Sequence, residues 1–247
     1  MKLIAIALII GGFGVAARPT ADQDLERTII SGGAARSYRV FVPESASQSG
    51  PAPAVVLFNG SGSPVQPLLE FWKTVARKDG VVLIGPAPFA PGAWRIPEDS
   101  PEFSHDVVEA VKAAFAIDPR RVYLFGQSGG GGHALSVALL ESEYYAAAAE
   151  HANALPGSAY PFMNLAKRKI PLGLWVGTND QLVPLSAVRD TYNALVTHGF
   201  TVERYEIKDH THAYAERGDE LTAEAWAFLK KQHLDHDPVY QAYRTSK

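Results

Sequence analysis

Gly126-Gln127-Ser128-Gly129-Gly130 sets a serine among small residues, after the apolar run 122–125 and before a stretch, 131–140, that can be helical. A serine at the tip of a tight strand-to-helix turn takes strained backbone angles, and small residues two positions either side let strand and helix cross closely. The strain costs roughly 1–3 kcal/mol, and the four consecutive glycines 129–132 are poor helix formers. A turn with a purely structural role has no need of so many. The chemistry it serves is nucleophilic attack, and Ser128 is the candidate nucleophile.

A serine hydroxyl is a weak nucleophile near neutral pH, so it needs a base within hydrogen-bond reach, held in turn by a carboxylate. Two later segments supply these in the order serine, acid, histidine. Gly177-Thr178-Asn179-Asp180 follows the apolar run 171–176, and Lys208-Asp209-His210-Thr211-His212 follows the run 201–207. Asp180 is the candidate acid, although an Asp there could also cap the helix that begins just after Pro184. Asp190 falls inside a helical pattern, and Asp209 sits too near the histidines in sequence. His212 and His210 compete as base, because an extended chain points both side chains the same way. Read as a metal pair, they lack a further cluster of ligands, so neither metal nor cofactor is expected. His105, His133, His151, His198, His233 and His236 read as solvated or packing residues in helices or the tail.

The oxyanion formed in such an attack needs preorganised N–H donors, each worth about 2.7–4 kcal/mol in the transition state. The residue after the nucleophile, Gly129, supplies one. The turn Asn59-Gly60-Ser61-Gly62 supplies the second, through Ser61 or, next in order, Gly62. Asn59, Gln127, Trp94 and Tyr160 are candidates to line the substrate cleft; local packing is the alternative for both aromatics.

These residues require a scaffold that gathers loops at one edge. Strands are expected at 39–42, 54–59, 81–85, 121–125, 145–149, 171–176 and 201–207. Helices are expected at 65–78, 102–117, from the elbow to about 141, at 185–197 and at 220–234. Apolar strands alternating with helices give an α/β fold with a mostly parallel sheet flanked by helices on both faces. Ligands bind beyond the carboxyl ends of such strands, where Asn59, Ser128, Asp180 and His212 all fall.

The chain has 247 residues, 47% hydrophobic and 20% charged, with a net charge of −3 and no cysteine. That length suits one domain, and the scattered Lys and Arg give no stripe for a nucleic acid. Without cysteine there is no disulfide framework and no thiol nucleophile. Residues 1–17 read as a secretory signal peptide, with Lys2, an apolar run 3–15 and small residues at Ala16-Ala17. The run is too short for a comfortable membrane span, so stable membrane insertion is not expected. Residues 18–247 then form a single domain, secreted or periplasmic, a destination that rests on the signal alone. The oligomeric state is open.

Residues 38–229 resemble the secreted α/β-hydrolases of the polyhydroxybutyrate depolymerase and feruloyl esterase type. The motifs that carry this are Ile117-Asp118-Pro119-Arg120-Arg121-Val122-Tyr123 running into the elbow, the acid loop 177–180, and His210-Thr211-His212-Ala213-Tyr214 before a final helix. The resemblance implies an α/β-hydrolase fold and a triad of Ser128, Asp180 and His212. It also implies an ester substrate, small or polymer-linked. Family members usually carry His-Gly where this chain has Asn59-Gly60. Only about twenty residues separate the strands at 149 and 171, where relatives insert a lid, so no large lid domain is expected. The expected activity is a serine carboxylic-ester hydrolase; the alternatives are a serine peptidase of the same fold and a binding module without catalysis.

Overall fold

The computed structural model describes residues 19–243. The expected leader, residues 1–17, lies outside them. The first half of the chain forms β1 (Gln23–Ser31), β2 (Ala34–Val42), β3 (Ala52–Phe58), α1 (Gln66–Asp79), β4 (Val82–Pro86), α2 (Pro101–Ala114) and β5 (Ile117–Gln127). The second half forms α3 (Gly129–Leu140), β6 (Ala147–His151), the one-turn α4 (Phe162–Leu165), β7 (Leu172–Gly177), α5 (Leu185–Thr197), β8 (Val202–Ile207) and α6 (Gly218–Leu229).

The eight strands make one sheet in the order β1-β2-β4-β3-β5-β6-β7-β8. β1 with β2 and β2 with β4 are antiparallel, and every pair from β4 through β8 is parallel. Every residue of β3, β4, β6 and β7 is buried, as strands covered on both faces must be. On one face α1 and α6 pack Trp72, Phe125, Trp175 and Trp226 into a core. Helices α2, α3 and α5 pack Phe103, Val107, Leu135, Leu139, Val188 and Leu195 against the other. Each such side chain contributes about 1.5–3 kcal/mol by leaving water. Among the described residues no helix is long and apolar enough to cross a membrane.

The expected strands and helices occur with shifted ends, and two elements are additions. β1 has no counterpart in the apolar pattern because six of its nine residues are polar and most are exposed. The turn that joins it to β2, Gly32-Gly33, has φ of 59° and 80°, the two positive values a tight hairpin turn requires. The other addition is α4, in the segment between β6 and β7 that holds only this helix and a 3₁₀ turn at Gly157–Ala159.

Candidate active site

Ser128 stands between β5 and α3 with φ 52° and ψ −125°, a conformation that L residues rarely adopt. The crossing is tight enough to exclude side chains. A Cβ on Gly126 would overlap the Gly130 carbonyl, and one on Gly130 would overlap the Phe58 and Asn59 carbonyls. The strained peptide is gripped from the end of β6 and the residues just after it: the Ser128 N–H donates to the His151 carbonyl at 2.8 Å, and Asn153 Nδ2 donates to the Ser128 carbonyl at 2.7 Å.

Three side chains join in one line. His212 Nε2 lies 2.8 Å from Ser128 Oγ, and His212 Nδ1 lies 2.8 Å from Asp180 Oδ2. An ionised carboxylate only accepts, so Nδ1 carries the proton and neutral Nε2 accepts the serine hydroxyl. The remaining Asp180 oxygen accepts the N–H groups of Leu182 at 2.9 Å and Val183 at 2.8 Å, and the side chain is closed to solvent. Asp180 therefore shapes its own loop and does not cap α5, whose N-cap residue is Pro184. The arrangement can pass the hydroxyl proton to an imidazole held in the right tautomer.

His210 is drawn elsewhere. Asp209 turns the backbone with φ 57°, so the segment is not extended, and His210 points into the protein with its Nε2 3.0 Å from His151 Nε2. Of the two histidines, His212 is the one whose ring reaches Ser128. His151 lies in β6 rather than in a helix or the tail, and its fully buried place there had no signal in sequence spacing.

The oxyanion candidates separate as well. A Cβ on Gly129 would strike the Ser61 hydroxyl, so the loop after β3 lies directly over the start of α3. Gly62 is excluded because its N–H already donates to the Gly92 carbonyl at 3.0 Å. Gly129 and Ser61 remain, and among the described residues no backbone acceptor takes either N–H.

Of the expected cleft residues, Asn59 is 4% exposed and donates its amide to the Gly60 and Ser63 carbonyls, so it builds the loop and, with Gln127, forms part of the wall of a hollow beside it. Trp94 is half-buried and donates its indole N–H to the Asn59 carbonyl at 2.9 Å. Tyr160 packs against the core beside α4, and among the described residues no bond joins it to the three site residues. Gln127 leans on Gly60 and lines a hollow of about 260 Å³. Its walls include Gly60, Gln127 and Ala213, the chain neighbours of Ser61, Ser128 and His212, with Leu68, Phe71 and Tyr214 behind them. A larger cavity of about 640 Å³, between the β1–β2 turn and loop 87–100, includes none of the three.

No protein-family model matches the sequence, and no curated protein does. The three-dimensional comparison is different. A ferulic acid esterase superposes with a TM-score of 0.70 at 15% identity, over 85% of this chain and 98% of its own. An S-formylglutathione hydrolase from Agrobacterium tumefaciens gives 0.69 at 14% identity, over 87% and 96%. A putative dipeptidyl aminopeptidase IV from Bacteroides ovatus gives 0.71 at 14% identity, over 85% of this chain but 36% of its own. The fold is that of the α/β-hydrolases. At such identities the likeness is one of fold, and within the α/β-hydrolase fold the chemistry must be argued from the site itself.

Proposed function

We propose that this chain is a serine hydrolase of carboxylic esters. The observation that carries the reading is the unbroken line Ser128–His212–Asp180, with two contacts of 2.8 Å. Ser128 Oγ attacks the ester carbonyl carbon while His212 Nε2 takes its proton, and Asp180 steadies the imidazolium. The Gly129 and Ser61 N–H groups stabilise the oxyanion. Collapse breaks the carbon–oxygen bond to the alcohol, which leaves with the proton from His212. Water, deprotonated by His212, then cleaves the acyl-enzyme and restores the serine hydroxyl.

The substrate class follows from access. Only a 3₁₀ turn and the one-turn α4 stand between β6 and β7, and the hollow beside Gln127 opens next to the nucleophile's own neighbours. An uncovered site of this kind favours polymer-linked or bulky esters over a buried lipid chain. Export to a secreted or periplasmic location rests on residues 1–17, and N-terminal sequencing of exported protein should read Arg18 first.

Release of p-nitrophenol from short acyl esters tests the reading. Wild type should turn over, and Ser128→Ala should fall to the residual acceleration of about 10³–10⁴ over water that binding and oxyanion contacts give. Equal turnover by the variant would end the claim, an inert wild type would favour a binding module, and preferential cleavage of peptide anilides would favour a peptidase. Acetyl, butyryl, hydroxybutyryl and feruloyl esters compared side by side locate the acyl preference.

A further inference from the structure

The oxyanion loop, residues 59–63, belongs to no helix or strand, yet its Ser61 N–H must stay aimed at a point shared with Gly129. Two bonds from a single neighbouring loop hold it. The Gly62 N–H donates to the Gly92 carbonyl at 3.0 Å, and the Trp94 indole N–H donates to the Asn59 carbonyl at 2.9 Å. The Trp94 ring stacks on His133 of α3, with centroids 4.7 Å apart and planes 15° apart, and meets the edge of Phe58 at the end of β3. Trp94 thus touches both halves of the oxyanion pair: the loop that carries Ser61, and the helix whose first residue is Gly129.

Loop 87–100 is itself folded around one carboxylate. Asp99, fully buried, accepts the Phe89 N–H at 2.8 Å, the Arg95 N–H at 2.9 Å and an Arg36 N–H at 2.5 Å. Arg36, in β2, also donates to the Ala87 and Glu98 carbonyls and lies 3.5 Å over the Phe103 ring. Arg36 therefore ties Ala87, the first residue of the loop, to Glu98 and Asp99 near its end, and fixes the segment between them that presents Gly92 and Trp94.

We propose that Trp94 is a positioning residue for the oxyanion hole, registering the Ser61 N–H against the Gly129 N–H from a strap that Asp99 and Arg36 hold closed. This rests on the ester-hydrolase reading and reassigns Trp94 from lining the cleft to aiming a donor. Losing a donor outright costs about 10²–10³ in kcat, so loosening its aim should cost about tenfold.

The test uses Trp94→Phe, which keeps an aromatic ring against His133 and loses the N–H, with Gly92→Ala as an independent second variant. At Gly92 nothing lies within 4 Å of an added Cβ, but φ is 104°, so the alanine acts on the strap only through its backbone. Both variants should lower kcat for p-nitrophenyl butyrate about tenfold with KM unchanged. Both should weaken inhibition by a trifluoromethyl ketone, which forms an oxyanion on Ser128, by the same factor. A residue that merely stabilises the fold would not move that inhibition constant in step with kcat. Folded variants with wild-type kcat, a loss of kcat without weaker inhibition, or a rise in KM alone would each overturn the proposal. Wild-type hydrolysis with fluorophosphonate labelling of Ser128 keeps the underlying reading separate; if both were absent, reading and proposal would fall together.

Discussion

The imidazole rings of His151 and His210 face each other Nε2 to Nε2 at 3.0 Å, and both side chains are closed to solvent. One nitrogen must donate and the other accept, so a single proton occupies the contact. Burial, reinforced by the facing His210, pushes His151 down to about 3 and keeps the pair neutral. The backbones of the same two residues reach the other site loops. The His151 carbonyl takes the Ser128 N–H at 2.8 Å, and the His210 carbonyl takes the Asn179 N–H at 2.9 Å, one residue before Asp180. The loops that carry Ser128, Asp180 and His212 therefore meet at one buried hydrogen bond.

His210→Phe should cost about 1–3 kcal/mol, because it strands the buried His151 nitrogen without a partner. His210→Gln supplies an amide in its place and should recover most of that loss. Urea unfolding of the three proteins decides the matter, and equal stability of the Phe and Gln variants would remove the pair from the account.

The left-handed backbone of Ser128 is stored strain that only glycine relieves. Ser128→Gly should be more stable than Ser128→Ala by about 1 kcal/mol, although both lack the hydroxyl. Chemical denaturation of the two variants reads the difference. An alanine variant as stable as the glycine one would mean that the elbow relaxes once the hydroxyl is gone.

The apolar rhythm and the glycines around Ser128 are enough to read the sheet, the elbow and the chain order of Ser128, Asp180 and His212, which the fold brings together, because burial on both faces and a tight crossing each leave a compositional trace. What sequence spacing missed depends on where chains cross. Asn153 reaches the Ser128 carbonyl from a strand exit 25 residues away, and Asp99 meets Arg36 across 63 residues. His210 is not separable from His212 by spacing because the choice is made by one left-handed residue, Asp209, a residue type that tolerates such a turn without requiring it. β1 escaped because its polar residues face water and a glycine pair, not apolar alternation, sets its register.

His133 should make the fold sensitive to acid. Burial pushes its imidazole down to about 3 from an ordinary value of 6.5, so between those values the unfolded chain binds a proton that the native protein refuses. Native stability then falls as pH drops through that window, by up to about 1.4 kcal/mol per unit. His133→Phe removes this contribution, so its stability relative to wild type should improve steadily below pH 6.5. A constant difference between pH 7 and pH 4, measured by urea unfolding, would mean that the imidazole is charged in the native protein.

Glu150 works in the opposite direction. It is fully buried in β6, and burial, with the Asp180 charge adding to it, pushes its carboxyl well above the ordinary value of 4.5. Above that value the native state keeps a proton that the unfolded chain has released, so native stability falls as pH rises, by up to about 1.4 kcal/mol per unit until the buried acid itself ionises. At pH 4 both states are largely protonated and the penalty disappears. Glu150→Gln has the shape of the neutral acid and no proton to lose. It should therefore match wild type near pH 4 and become progressively more stable than it toward pH 8, as followed by urea midpoints at each pH. A difference that stays flat across that range would show the carboxyl to be ionised where it lies, which would require a cation or water beside it to carry the charge.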